Sequence, residues 1–195
     1  MNRPQWAIRE LPLRRDIMNS SLNDKLLTAC STGDMDSILS SIKDGADVNA
    51  PDASSPYKFT PLILASRTGS VDAVKALVSA KADINLPDTK GFTALITAAW
   101  FGKADTLSAL IAAGARLDNA NAEGNTALME AAALGHEETV LSLIKAGADI
   151  ARINKAGHSA YDMAKTKEIR VMIKSKMNVL NYLRFLIARL FRRGS

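Results

Sequence analysis

The run Thr93-Ala94-Leu95-Ile96-Thr97-Ala98-Ala99-Trp100-Phe101-Gly102, with its continuation through Asp105-Thr106-Leu107-Ser108-Ala109-Leu110-Ile111 to Gly114, decides the fold. Thr93 offers an N-cap hydroxyl to the apolar residues after it, and Gly102 accepts the left-handed conformation that ends a helix. Leu107, Leu110 and Ile111 then fall at i, i+3 and i+4 on one face of a second helix, which Gly114 closes. Neither helix can bury its apolar face alone. The segment therefore needs neighbours built like itself, as in a solenoid.

Those neighbours are present at a spacing of 33. Thr60, Thr93, Thr126 and Ser159 form one column; Gly91, Gly124 and Gly157 sit two residues before the last three of them. Ala65, Ala98, Ala131 and Ala164 follow five residues after each hydroxyl, and Gly69, Gly102 and Gly135 nine after the first three. The tail Asp44-Gly45-Ala46-Asp47-Val48-Asn49 matches Ala113-Gly114-Ala115-Arg116-Leu117-Asp118 and Ala146-Gly147-Ala148-Asp149-Ile150. Each unit reads as helix, turn, helix and extended return. The recurring alanines let inner helices approach closely, and the leucines of the second helices fill the space behind.

Composition narrows the function classes. With 195 residues, 47% hydrophobic and 23% charged, the chain has the usage of an ordinary globular protein. One cysteine and two histidines cannot supply the four ligands of a structural zinc site or an internal disulfide. Cys30 falls in a small-residue column with Ser66, Ala99 and Ala132, which reads as packing. No cofactor or metal is expected, and no Gly-rich phosphate loop or isolated carboxylate pair points to catalysis.

Charge is unevenly placed within the net +5: residues 1–15 carry +3 and residues 164–195 carry +8, leaving −6 between them. An acidic body does not match a nucleic-acid interface, whose basic footprint lies across the folded surface. Arg3-Pro4-Gln5-Trp6-Ala7-Ile8-Arg9-Glu10 breaks any signal-like apolar run, so a cytoplasmic location is expected. Val179–Phe191 has 13 residues and contains Arg184 and Arg189, too short and too charged to span a bilayer.

Thr60-Pro61-Leu62-Ile63-Leu64-Ala65, Thr93-Ala94-Leu95-Ile96-Thr97-Ala98-Ala99 and Gly135-His136 with Gly147-Ala148-Asp149 resemble ankyrin repeats. The resemblance implies an all-α solenoid of stacked helix-turn-helix units with short extended fingers. It covers residues 23–176: a cap at 23–55, full repeats at 57–89, 90–122 and 123–155, and a C-terminal partial repeat at 156–176. A basic segment, 1–22, precedes it; its two prolines argue against a long helix there, and Trp6, Ile8, Leu11 and Leu13 are expected to cover the first unit. The basic amphipathic stretch 177–195, helical over Asn178–Arg193, follows. It has three competing uses: capping the stack, lying on an anionic membrane, or docking a second partner.

Three departures from the family pattern matter. Ile63, Ile96 and Met129 replace the usual histidine after Thr-Pro-Leu, so packing must substitute for the polar link it makes. Lys81 stands in the column of Gly114 and Gly147, where a left-handed backbone is expected. The segment 50–59 is three residues longer than the regular return and reads as an enlarged finger.

In the family, partner contacts come from finger tips and from the residues after the alanine pair. Those columns hold Tyr57, Phe59 and Arg67, then Lys90, Phe92, Trp100 and Phe101, then Glu123, Asn125 and Leu134. Five of the ten aromatic residues thus fall on two adjacent units, which points to an interface hot spot; the alternative is that some of them fold over to shield the long finger at 50–59. His136 belongs to a structural Gly-His turn, and His158 to the surface. The expected function is a non-catalytic module that grips a partner protein on its concave face, as adaptor, inhibitor or targeting subunit. No nucleic acid and no small-molecule substrate are expected. The alternative is a peripheral membrane protein held by residues 178–195, with the repeats carrying cargo.

Overall fold

A computed structural model describes residues 5–176, with side chains from Asn19 onward. Among the described residues ten helices follow one another: α1 (Gln5–Thr32), α2 (Met35–Lys43), α3 (Pro61–Thr68), α4 (Val71–Ser79), α5 (Ala94–Trp100), α6 (Ala104–Ala112), α7 (Ala127–Leu134), α8 (Glu137–Ala146), α9 (Ala160–Met163) and α10 (Lys167–Ser175). Among the described residues the only β pairing is two single bridges, Ala120 to Thr126 and Ile153 to Ser159.

Local signals explain where the inner helices begin. The hydroxyls of Thr60, Thr93, Thr126 and Ser159 accept from the backbone N–H of Ile63, Ile96, Met129 and Asp162. Asp162 returns the bond to Ser159, closing a capping box. Left-handed glycines end the same turns, with Gly69 at φ 85° and Gly135 at φ 87°.

The helices form two rows. α1, α3, α5, α7 and α9 pack side by side in the inner row, and α2, α4, α6, α8 and α10 in the outer. Ala65, Ala98 and Ala131 are buried on inner helices, where a larger side chain would push neighbours apart, and Ala164, just past the end of α9, is buried as well. Leu77, Leu107, Leu110 and Leu143 are fully buried behind them. Each such side chain contributes about 1.5–3 kcal/mol by leaving water.

Ile63, Ile96 and Met129 are also buried, so packing does occupy the column of the missing histidine. Polar links between units run elsewhere, along the base of the fingers. Backbone N–H groups of Asp47, Asp83, Arg116 and Asp149 donate to the side-chain oxygens of Asn23, Asn49, Asn85 and Asp118, at 2.8–2.9 Å. His136 adds a further link, its Nε2 lying 3.0 Å from the Trp100 carbonyl. A Cβ on Gly102 would come within 2.6 Å of that imidazole, so this turn needs glycine for space as well as for φ. Cys30 is buried in the core, and burial pushes its thiol up to about 12, which leaves it protonated and unreactive.

One expectation is corrected. α1 runs through Pro12 without interruption and passes from the basic segment into the first unit. Proline removes one helical hydrogen bond and crowds the preceding turn, at a cost of about 3 kcal/mol. The Leu, Arg and Met residues around it are good helix formers, and the helix is anchored downstream by the buried Leu26, Leu27, Ala29 and Cys30. The placement expected for Trp6, Ile8, Leu11 and Leu13 concerns side chains outside those described, as does every use considered for residues 177–195. Among the described residues no helix is long and apolar enough to cross a membrane.

The backbone at Lys81 is left-handed, with φ 69°, in the turn that leaves α4, where its N–H donates to Val78 and that of Ala82 to Leu77. An L side chain is strained there, whereas glycine is not. Lys81→Gly should therefore raise stability by roughly 0.5–1 kcal/mol after the added chain entropy of the unfolded state is counted. Thermal unfolding checks this; an unchanged or lower Tm would mean that the lysine is not strained.

Candidate functional site

The fingers are built by a repeated polar turn. Asp88 Oδ1 accepts from the N–H of Lys90 and Phe92, Asn121 Oδ1 from Glu123 and Asn125, and Asn154 Oδ1 from Ala156 and His158. Adjacent tips are then tied by one backbone bond each: Thr89 to Tyr57, Ala122 to Lys90, and Lys155 to Glu123, at 2.8–3.0 Å. These bonds fix the spacing of the finger side chains.

Between the second and third units the result is a groove of about 220 Å³, walled by Tyr57, Phe59, Phe92, Trp100 and Phe101 over a floor that includes Ile63, Leu64 and Thr97. Tyr57 and Phe59 lie tilted with ring centroids 5.5 Å apart, and Phe92 meets Trp100 edge-on at 5.6 Å. The Arg67 guanidinium sits 5.6 Å over the Phe59 ring, a cation–π contact, and Lys90 completes the rim. Phe59 and Phe92 pack partly against the core, but Tyr57, Trp100 and Phe101 remain 45%, 39% and 46% exposed. Large rings rarely stay this wet without use. Seven of the ten residues singled out from the sequence therefore line one groove.

The other three belong to the fourth unit and lie outside that groove. Glu123 is exposed, Leu134 is half-buried at the end of α7, and Asn125 has both ends of its amide engaged within the chain. Asn125 Nδ2 donates to Glu130 Oε1 at 3.0 Å, while its Oδ1 accepts from Asn154 Nδ2 at 2.7 Å. Asn121 Nδ2 also donates to Glu130 Oε1, at 2.8 Å.

Glu130 was not singled out from the sequence. It occupies the column of Leu64 and Thr97, and it is only 3% exposed. A carboxylate in a column otherwise held by Leu64, Thr97 and Met163 was the available signal. Here the inner surface changes character: Phe92 is followed at the repeat spacing by Asn125, Thr97 by Glu130, and Trp100 by Ala133. The aromatic groove thus ends where a buried polar network begins. Among the described residues no group of three or more His, Cys, Asp or Glu side chains could hold a metal ion.

A family model described as ankyrin repeats, in three copies, matches residues 26–121 and 80–154, which together span most of the chain. No curated protein matches it.

The Glu130 carboxyl is held above its usual range by burial, opposed by the amide bonds from Asn125 and Asn121 and reinforced by the charge of Glu123. The folded state therefore holds this proton more tightly than the unfolded chain does. Its contribution to stability is complete below the ordinary glutamate pKa and is lost as pH rises through the raised value. Glu130→Gln keeps an acceptor for both asparagines and removes the titration. Its Tm advantage over the parent should widen from about pH 4 toward neutrality. A difference that does not change with pH would show that Glu130 ionises in the fold as it does in the open chain.

Proposed function

Because this chain belongs to the ankyrin-repeat family, whose repeats are general protein–protein interaction modules, we propose that it is a non-catalytic cytoplasmic module that grips a partner protein on its inner face. Its groove between the second and third units is the centre of that interface. It acts as an adaptor, inhibitor or targeting subunit, according to what the held partner does.

The observation that carries this reading is the cluster of Tyr57, Trp100 and Phe101, exposed together around an apolar cleft. Their columns are not needed for stacking, since the equivalent positions in the fourth unit are Glu123, Ala133 and Leu134. Withdrawing such rings from water can supply most of an interface's energy. The groove volume of about 220 Å³ falls below the roughly 300–1,000 Å³ of sites that enclose a small molecule. It matches a cleft that takes one or two side chains. Two cations on an otherwise aromatic rim are too few for a phosphate backbone, which needs several in register.

Affinity and stability measured side by side test the proposal once a partner has been captured from the native source. Trp100→Ala should weaken binding by about 2 kcal/mol or more. Its stability should fall by only about 0.5–1.5 kcal/mol, the worth of the lost edge-on pair with Phe92. Full affinity with a large drop in Tm would mean that the rings serve internal packing.

A further inference from the structure

A second depression adjoins the aromatic groove and differs from it in chemistry. It lies between α1 and the enlarged finger, and its walls include Asp24, Thr28, Ser31, Asp52, Ser54 and Ser55. Phe59, Leu64 and Arg67 line both depressions, so the two are compartments of one trough that crosses the inner helices from α1 to α5. Inner helices pack at roughly 8–10 Å, which gives the trough a length of roughly 16–20 Å. About five or six residues of extended chain, at about 3.3 Å each, cover that distance.

Charge along the trough is ordered. At the α1 end stand Asp24 and Asp52: Asp52 Oδ1 already accepts from the N–H and the hydroxyl of Ser54 and from the N–H of Ser55, whereas Asp24 is exposed with no partner for its side chain among the described residues. Aromatic walls occupy the other compartment. There Asp88 is buried and its Oδ1 accepts from two N–H groups of its own finger, so the exposed charge at this end is Lys90, while Arg67 stands between the two compartments and borders both. No carboxylate among the described residues pairs with either. An occupant of uniform charge would meet repulsion at one end, and a wholly apolar one would strand ionic groups at both.

We infer that the trough receives one short linear segment of a partner protein, with a cationic side chain over Asp24, a large apolar side chain among Phe92, Trp100 and Phe101, and a carboxylate beside Lys90. This rests on the aromatic groove being the partner site. Length favours a linear segment over a flat surface, because the two joined compartments extend about as far as six residues of extended chain. The apolar anchor supplies affinity. The flanking charges set the direction in which the segment lies and exclude its reverse.

Random peptides of about twelve residues, displayed and selected on the full chain, test this, with the enriched peptides then measured by fluorescence anisotropy. The expected consensus is a basic residue, a large apolar residue and an acidic residue in fixed order within about six positions. Affinity should fall with salt and be lost in Trp100→Ala. Asp24→Lys and Lys90→Glu alter exposed side chains that hold no structural bond. Each should reverse the charge preferred at its own end alone, with a roughly three- to tenfold change in affinity for the original consensus.

Apolar peptides without ordered charge that are still lost in Trp100→Ala would overturn this inference and leave the groove as the partner site. Peptides indifferent to Trp100→Ala and Phe101→Ala would overturn both. Failure to enrich any peptide would rule out a short segment as sufficient, while the proposal of a folded partner keeps its own test. Concentration-dependent self-association abolished by Trp100→Ala would show that the occupant is a second copy of this chain.

Discussion

Every helix pair in this protein owes its stability to the pair beside it. The inner helices are short, α5 spanning only Ala94–Trp100, and helices of this length do not persist alone in water. What they bury, they bury against neighbours: Ala65, Ala98 and Ala131 are buried in the inner row, and Leu77, Leu107, Leu110 and Leu143 close the space behind. Small side chains in one row let its helices approach closely, and large ones in the other fill the space behind them. The consequence is a scaffold whose inner surface is assembled from several units and belongs to none of them.

The groove follows from that dependence. A finger by itself would be a flexible return, but Asp88, Asn121 and Asn154 each fold their own finger back, and backbone bonds between tips hold one finger to the next. Side chains from different units are thereby brought to fixed separations. Tyr57 and Phe59 come from one finger, Phe92 from the next, and Trp100 and Phe101 from the end of the helix below. Packing supplies the rigidity, and the rigidity lets exposed rings remain exposed without collapsing on one another.

Glu130 illustrates the opposite use of the same columns. Where the second and third units place Leu64 and Thr97, the fourth buries a carboxylate and surrounds it with asparagine amides. An isolated charge there would be strongly unfavourable, and hydrogen bonds from Asn121 and Asn125 offset part of that penalty. The network draws Asn125 and Asn154, which lie in different fingers, into one cluster. Asn154 Nδ2 also lies 3.5 Å from Met163 Sδ, which ties the cluster to the partial unit that follows, and the change from Phe92 to Asn125 limits the aromatic groove to one stretch of the inner face.

The sequence by itself determined the architecture: the spacing of 33, the cap hydroxyls at Thr60, Thr93, Thr126 and Ser159, and the left-handed positions, Lys81 included, are local rules that hold wherever the chain goes. It also marked the aromatic columns, because residues that break a repeat without serving its packing stand out against it. It misjudged Pro12, since a proline's local cost can be outweighed by the helix around it and by packing farther along. Only the tertiary structure decided that Asn125 is occupied internally, that Glu130 is buried beside it, and that the aromatic and acidic depressions share Phe59, Leu64 and Arg67. Those facts depend on distances between units, and a column in a repeat records which residues recur but not which of their atoms meet.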